Sequence, residues 1–133
     1  MTFRVVAPAL WRNRIKDASW SDAALMPWIR ASQPSANHDM VTEILQRLAI
    51  KPVEIVEADH EFIIKTLVSA GVGIGILREE LALRAQECNE LIVMNEKAET
   101  ALWFIYHTNR ESDPAIQAAL TILKSIWRSD DGR

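Results

Sequence analysis

A chain of 133 residues, 49% hydrophobic and 25% charged, is one soluble globular domain or part of a larger one, with enough apolar material for a real core. Its net charge of −3 excludes the basic balance of a nucleic-acid-binding or acidic-membrane-binding module for this stretch of polypeptide. A single cysteine, Cys88, excludes an internal disulfide and a thiolate metal site, and no apolar run approaches the roughly 20 residues of a membrane span.

The opening residues "MTFRVVAPAL" lack the charged and long apolar regions of a signal peptide, so a cytoplasmic protein is expected. Residues 3–10 read as a short β-branched strand stopped by Pro8. Residues 11–26 are mixed, with a short helix at "SDAALM" that Ser21 is placed to cap. "PWIRA" (27–31) reads as a second strand and "SQPS" (32–35) as a loop. Met40, Val41, Ile44, Leu45 and Leu48 then recur on one helical face, predicting a helix over about 37–49 with Pro52 beyond its end.

"VEIVEA" (53–58) alternates apolar and acidic residues, as a strand with one wet face does. Asp59 is expected to cap the next helix, which carries Phe62, Ile63, Leu67 and Val68 and ends at Gly71 in a left-handed position. "GIGIL" (73–77) follows as a buried strand and "REELALRAQE" (78–87) as a helix. "ELIVMN" (90–95) is a strand, and "ALWFIYHT" (101–108) is the strongest strand pattern in the chain, apolar enough to predict burial on both faces. Asp113 at N-cap and Pro114 at N1 open a last helix to about residue 128, lined by Ile116, Leu120, Leu123 and Trp127, with a loose tail after it.

Gly71, Gly73 and Gly75 invite comparison with a phosphate-binding loop. That loop needs a strand, then glycines, then a helix N-terminus facing the phosphates. Here the order is helix, glycine, strand, so the glycines serve chain reversal and close packing. Catalytic signals are missing too. Asp59, His60 and Glu61 are successive residues that do not share a helix face, and they read as a capping turn. His38 and His107 lie far from them, and no H-x-x-x-H, H-E-x-x-H or G-x-S-x-G spacing occurs. No metal, cofactor or enzymatic activity is expected. Of the tryptophans, Trp103 and Trp127 are expected in the core, and the basic residues Arg12, Arg14 and Lys16 on a solvated surface.

Strands alternating with helices predict an α/β fold, a three-layer αβα sandwich with a largely parallel sheet. The segment "EADHEFIIKTLVSAGVGIGILREELA", with "RVVAPAL", "PWIRASQ" and "ALWFIYHTNRESDPAIQAALTILKSIW" in order around it, resembles the LysR-type transcriptional regulators over about residues 3–128. The resemblance implies the effector-binding region, whose two lobes have the fold of periplasmic solute-binding proteins (type II). This chain would supply the second lobe, the hinge strands and the returning C-terminal helix. The DNA-binding domain and most of the first lobe would lie outside residues 1–133. Arg78 departs from the family, standing where a proline is frequent.

The same resemblance implies a ligand-sensing and oligomerisation module. It would bind a small-molecule effector, self-associate as a dimer or higher oligomer, and reach DNA only through a separate N-terminal domain, with no membrane partner. The alternative is a free-standing small-molecule-binding module without a DNA role. The positions matching the second lobe's share of the effector site are Arg30, Ala31, Ser32 and Gln33, and Ala58, Asp59 and His60. Arg30 offers a bidentate grip on a carboxylate, and Ser32 a hydroxyl donor.

Overall fold

The computed structural model describes residues 1–15 and 20–126, the side chain of Ser21 excepted. The expected Ser21 cap, Trp127 and the tail therefore lie outside the described residues. The chain divides into two compact units, Met1–Ala101 and Leu102–Arg133.

The first unit opens with strand β1 (Thr2–Pro8), followed by a 3-10 turn and the short helices α1 (Arg12–Ile15) and α2 (Trp20–Ala23). Two βα steps come next: β2 (Trp28–Arg30) to α3 (Ala36–Arg47), and β3 (Ile55–Glu57) to α4 (Glu61–Ser69). A third leads from β4 (Gly75–Arg78) through α5 (Glu79–Glu87) to β5 (Leu91–Glu99).

β2 and β3 pair in parallel, with Arg30 opposite Glu57. β1 lies between β4 and β5 and is antiparallel to both. The largely parallel sheet expected from the sequence is corrected at these two pairings. Alternation of strands and helices dictates direction only across a crossover. β1 precedes the first crossover and slots in backwards, while β4 and β5, each antiparallel to β1, run the same way as each other. A parallel bridge between Trp28 and Ile74 sets β2 beside the approach to β4. There Ile74 N–H donates to the Pro27 carbonyl at 2.9 Å and Ile29 N–H to the Ile74 carbonyl at 2.7 Å.

The pleat separates two apolar clusters. Val5, Ala7, Trp28, Ile74 and Ile76 pack with Met40, Val41, Ile44 and Leu45 of α3. Val6, Ile29, Leu77 and Leu91 pack with Ile64 and Val68 of α4 and Ala82 and Ala85 of α5. Each fully buried aliphatic side chain here contributes about 1.5–3 kcal/mol of transfer free energy. Trp28 is wholly buried and its indole N–H donates to the Ala23 carbonyl at 3.1 Å, satisfying its polar end. Trp11 and Trp20 pack against the first cluster from its margin, and the Arg14 guanidinium lies 6.0 Å over the Trp11 ring.

β3 is shorter than expected, and its faces differ from a simple wet-and-dry pair. Val56 packs against the second cluster, whereas Val53, Ile55 and Glu57 are exposed at the sheet's edge. β5 is longer than expected, because pairing with β1 carries it through the polar residues 95–99, with a register shift between Arg4 and Val6.

Helix ends follow local chemistry. The Ser35 hydroxyl caps α3 by accepting the His38 N–H. At the end of α4, Gly71 adopts φ +88°, its N–H donates to the Val68 carbonyl and that of Val72 to the Leu67 carbonyl, so the glycine closes a Schellman motif as expected. α3 closes the same way with Ala49 at φ 54°.

In the second unit, α6 (Pro114–Ile126) begins as the Asp-Pro pair predicts, with Asp113 Oδ1 accepting the Ala115 N–H at 2.9 Å. The strand expected over 101–108 does not form. Residues 101–107 have no regular structure and lead into a 3-10 turn at Thr108–Arg110. Trp103 is 82% exposed and Ile105 85% exposed, so the expected burial of this run is corrected too. Apolar composition states a preference for a dry neighbour; a strand also needs a partner for its backbone groups, and none is supplied by the described residues of this unit.

Candidate functional site

The parallel pairing of β2 and β3 brings their C-terminal ends side by side, and each leads directly towards a helix N-terminus. That edge, outside the carboxyl ends of parallel strands, is where open α/β sheets bind ligands. Both predicted segments converge there. Ala58 N–H donates to the Arg30 carbonyl at 3.1 Å, and Ser32 N–H donates to Asp59 Oδ1 at 3.0 Å.

Arg30 ends β2 and is half-buried. Its Nη1 reaches Thr42 Oγ1 on α3 at 3.5 Å, while its buried Nε has no acceptor among the described residues. No carboxylate of the described residues pairs with it, so its charge is available to an anionic group. Ala31 is buried, and its N–H donates to Asn37 Oδ1 at 2.9 Å. The Ser32 hydroxyl, the expected donor, is engaged within the lip, donating to Glu57 Oε2 at 3.3 Å. Gln33 is exposed, is joined to Pro34 by a cis peptide bond, and places Nε2 3.5 Å from His38 Nδ1.

Ala58 is buried; Asp59 and His60 are exposed. The expected Asp59 cap is corrected. His60 occupies the N-cap of α4 and no side chain caps that helix. Asp59 turns instead to the Ser32 N–H, and that backbone bond holds its carboxyl below the ordinary aspartate value. The unpaired N–H groups that open every helix therefore stay uncapped by side chains at α4. The lip also carries two carboxylates, Asp59 and Glu57, both bonded by Ser32.

Sequence reasoning missed three residues that build this edge. Asn37 bridges the Ala31 N–H to the Ile76 carbonyl, the second bond at 3.4 Å, tying the loop to β4. Glu57 fixes the Ser32 hydroxyl. Ser35 caps α3, and a serine three residues before an expected helical N–H was a legible signal for it. At the neighbouring end of β4, Glu61 accepts the Arg78 backbone N–H at 2.7 Å and its Nε–H at 2.8 Å. That side-chain bond is the main reason the guanidinium holds its proton more tightly still than usual.

Among the described residues, no three His, Cys, Asp or Glu side chains are grouped to hold a metal ion, and no helix is long and apolar enough to cross a membrane. The model of the LysR substrate binding domain matches residues 2–128. The chain belongs to the LysR substrate-binding domain family.

Solved structures of the same fold include the regulatory domain of CcmR from Synechocystis PCC6803 in complex with 2-PG, at 17% identity and TM-score 0.65, covering 96% of this chain and 64% of that one. The apo regulatory domain of HypT from Salmonella typhimurium matches at 14% identity and TM-score 0.63, covering 95% and 62%. Full-length LysG from Corynebacterium glutamicum with bound effector Arg matches at 18% identity and TM-score 0.56, covering 91% and 44%. The chain thus spans less than two thirds of the length of each of these structures. No curated protein shows significant similarity to it.

Proposed function

We propose that this LysR substrate-binding-domain chain is the ligand-sensing and oligomerisation module of a LysR-type transcriptional regulator. It contributes the second lobe, the hinge strands and the C-terminal helix of a periplasmic-binding-protein-like region. In that reading the first lobe and the DNA-binding domain belong to other parts of the regulator, which acts in the cytoplasm. Its lobe is a three-layer αβα sandwich, a reading supported by α3 packing with one apolar cluster and α4 and α5 with the other.

One observation carries the assignment of the site: residues 30–33 and 57–60 are hydrogen-bonded together at the strand ends, against a helix N-terminus that no side chain caps. Arg30 and the α4 N–H groups suit an anionic group of an effector, and Asp59 and Glu57 suit a donor or amine on the same molecule. The effector would act by binding one arrangement of lobes or subunits more tightly than another, so shifting the population that engages DNA.

The test is a screen of small carboxylates, phosphates and amino acids against the regulator carrying this chain, read by thermal shift and by amide chemical-shift mapping. A ligand that perturbs residues 30–33 and 57–60 and loses affinity in Arg30→Ala supports the site. A ligand whose shifts and affinity ignore those residues sinks it.

A further inference from the structure

β1 meets β5 in two registers that do not match. From Pro8 to Val6 its partners are Leu91, Ile92 and Val93, and from Arg4 to Thr2 they are Lys97, Ala98 and Glu99. Val5 therefore stands opposite Met94, Asn95 and Glu96, two residues more than a regular ladder needs. On its other edge β1 pairs with β4 without interruption from Phe3 to Val6, so the surplus belongs to β5. The outer register holds to the end of the pairing, where the Thr100 N–H donates to the Met1 carbonyl at 3.0 Å.

Two arginines grip the surplus residues from opposite faces. On the side of α5, Arg4 Nη2 donates to the Met94 carbonyl at 2.9 Å and Nη1 meets Glu79 Oε1 at 3.1 Å. On the side of α3, Arg47 Nη2 donates to the Lys97 carbonyl at 3.3 Å and pairs with the Glu96 carboxylate. A surplus of two has a particular consequence. Side chains alternate along a strand with a period of two, so a slip of one residue turns every side chain over and a slip of two turns none. Met94 and Ala98 pack, like Phe3, against the first apolar cluster, and they keep that face in either register.

We propose that the outer half of β5 is a two-position slide, latched in its bulged register by Arg4 and Arg47. In the second position the ladder continues without a bulge from Val6 and Val93, setting Met94 opposite Val5, Arg4 opposite Asn95, Phe3 opposite Glu96 and Thr2 opposite Lys97. Regular pairing of residues 94–96 then replaces the arginine contacts, and the end of β5 advances by two residues, about 7 Å along the strand. A one-residue stop between the two positions would turn Met94 and Ala98 away from their cluster, so the change is discrete. The device takes its functional meaning from, and there rests on, the reading of β1 and β5 as hinge strands: sliding one against the other lengthens the link that leaves the lobe. The register itself does not depend on that reading.

The test reads cross-strand Hα–Hα contacts by NMR on the full chain, in the parent and in the double variant Arg4→Met, Arg47→Met, which keeps both apolar stems and removes both guanidinium groups. The parent is expected to show contacts of Arg4 with Lys97 and Thr2 with Glu99. The double variant should exchange them for contacts of position 4 with Asn95 and Thr2 with Lys97, while that of Val6 with Val93 stays. A folded variant that keeps the parent's contacts, or loses them without gaining the second set, overturns the proposal, because the arginines would then only add stability. Should the variant fail to fold, relaxation dispersion in the parent decides: millisecond exchange confined to residues 94–100 upholds the slide, and flat profiles there overturn it. Since neither measurement uses a ligand, a failed sensing reading leaves the register result standing, and a fixed register leaves the sensing reading untouched.

Discussion

Substituting Gly73 by alanine tests how tightly β2 and the approach to β4 are joined. A Cβ at position 73 would sit 2.6 Å from the Pro27 carbonyl oxygen, 3.1 Å from its carbon and 3.3 Å from Ile29 Cγ1. The first two are backbone atoms and cannot rotate away. That same oxygen accepts the Ile74 N–H, so pushing it aside removes a bond that holds the bridge between the strands. Overpacking of this kind costs about 1–3 kcal/mol, and a buried N–H left unpaired about 1–3 more. Alanine recovers about 0.4–1 kcal/mol by restricting the unfolded chain. The net expectation is a loss of about 2–4 kcal/mol, or roughly 10–25 °C in Tm for a unit near 100 residues. Urea and thermal denaturation, monitored through the buried Trp28, measure it. A Gly73→Ala chain within about 0.5 kcal/mol of the parent would overturn this account, since surface-like tolerance is incompatible with a backbone clash.

Gly75→Ala meets side chains instead, Ile64 Cγ2 at 2.9 Å and Val68 Cγ2 at 3.1 Å, so it should cost less, about 1–2 kcal/mol in the same assay. Ala49→Gly should stabilise by about 1 kcal/mol, because an alanine at φ 54° closes α3 where a residue without Cβ is unstrained; an unchanged urea midpoint would contradict this. Trp28→Phe removes a buried donor to the Ala23 carbonyl and leaves a void, costing about 2–4 kcal/mol by chemical denaturation. Asp59 has a folded-state pKa below its ordinary value, so its contribution is present above the unfolded value and is lost as pH falls through the folded one. The Ser32 amide resonance should therefore shift in that acid window, below the ordinary aspartate range, and stay put in Asp59→Asn; a shift that persists in the variant would assign the event to another group.

Part of this molecule is legible in its residues because the physics involved is local. The periodicity of Met40, Val41, Ile44 and Leu45 predicts α3, Gly71 predicts the end of α4, and Asp113-Pro114 predicts the start of α6. Each outcome is decided within a turn or two of backbone. The same holds for rejecting the glycines as a phosphate loop, which needed only the order of elements, and for the family, whose ordered segments run along nearly the whole chain.

Features that depend on a neighbour distant in sequence were settled only when the chain packed. β1 runs against β4 and β5 because direction is chosen by pairing and not by composition. Residues 101–107 are apolar enough for a central strand and join no ladder among the described residues. Asp59 looks like a helix cap, but once β2 and β3 pair, the Ser32 N–H is within its reach and takes the carboxylate. That one bond, between residues 27 positions apart, takes the expected cap from α4 and ties the loop after β2 to the end of β3. The family resemblance of the sequence names the residues of the candidate site, and long-range hydrogen bonding determines which of their donors and acceptors are engaged with one another.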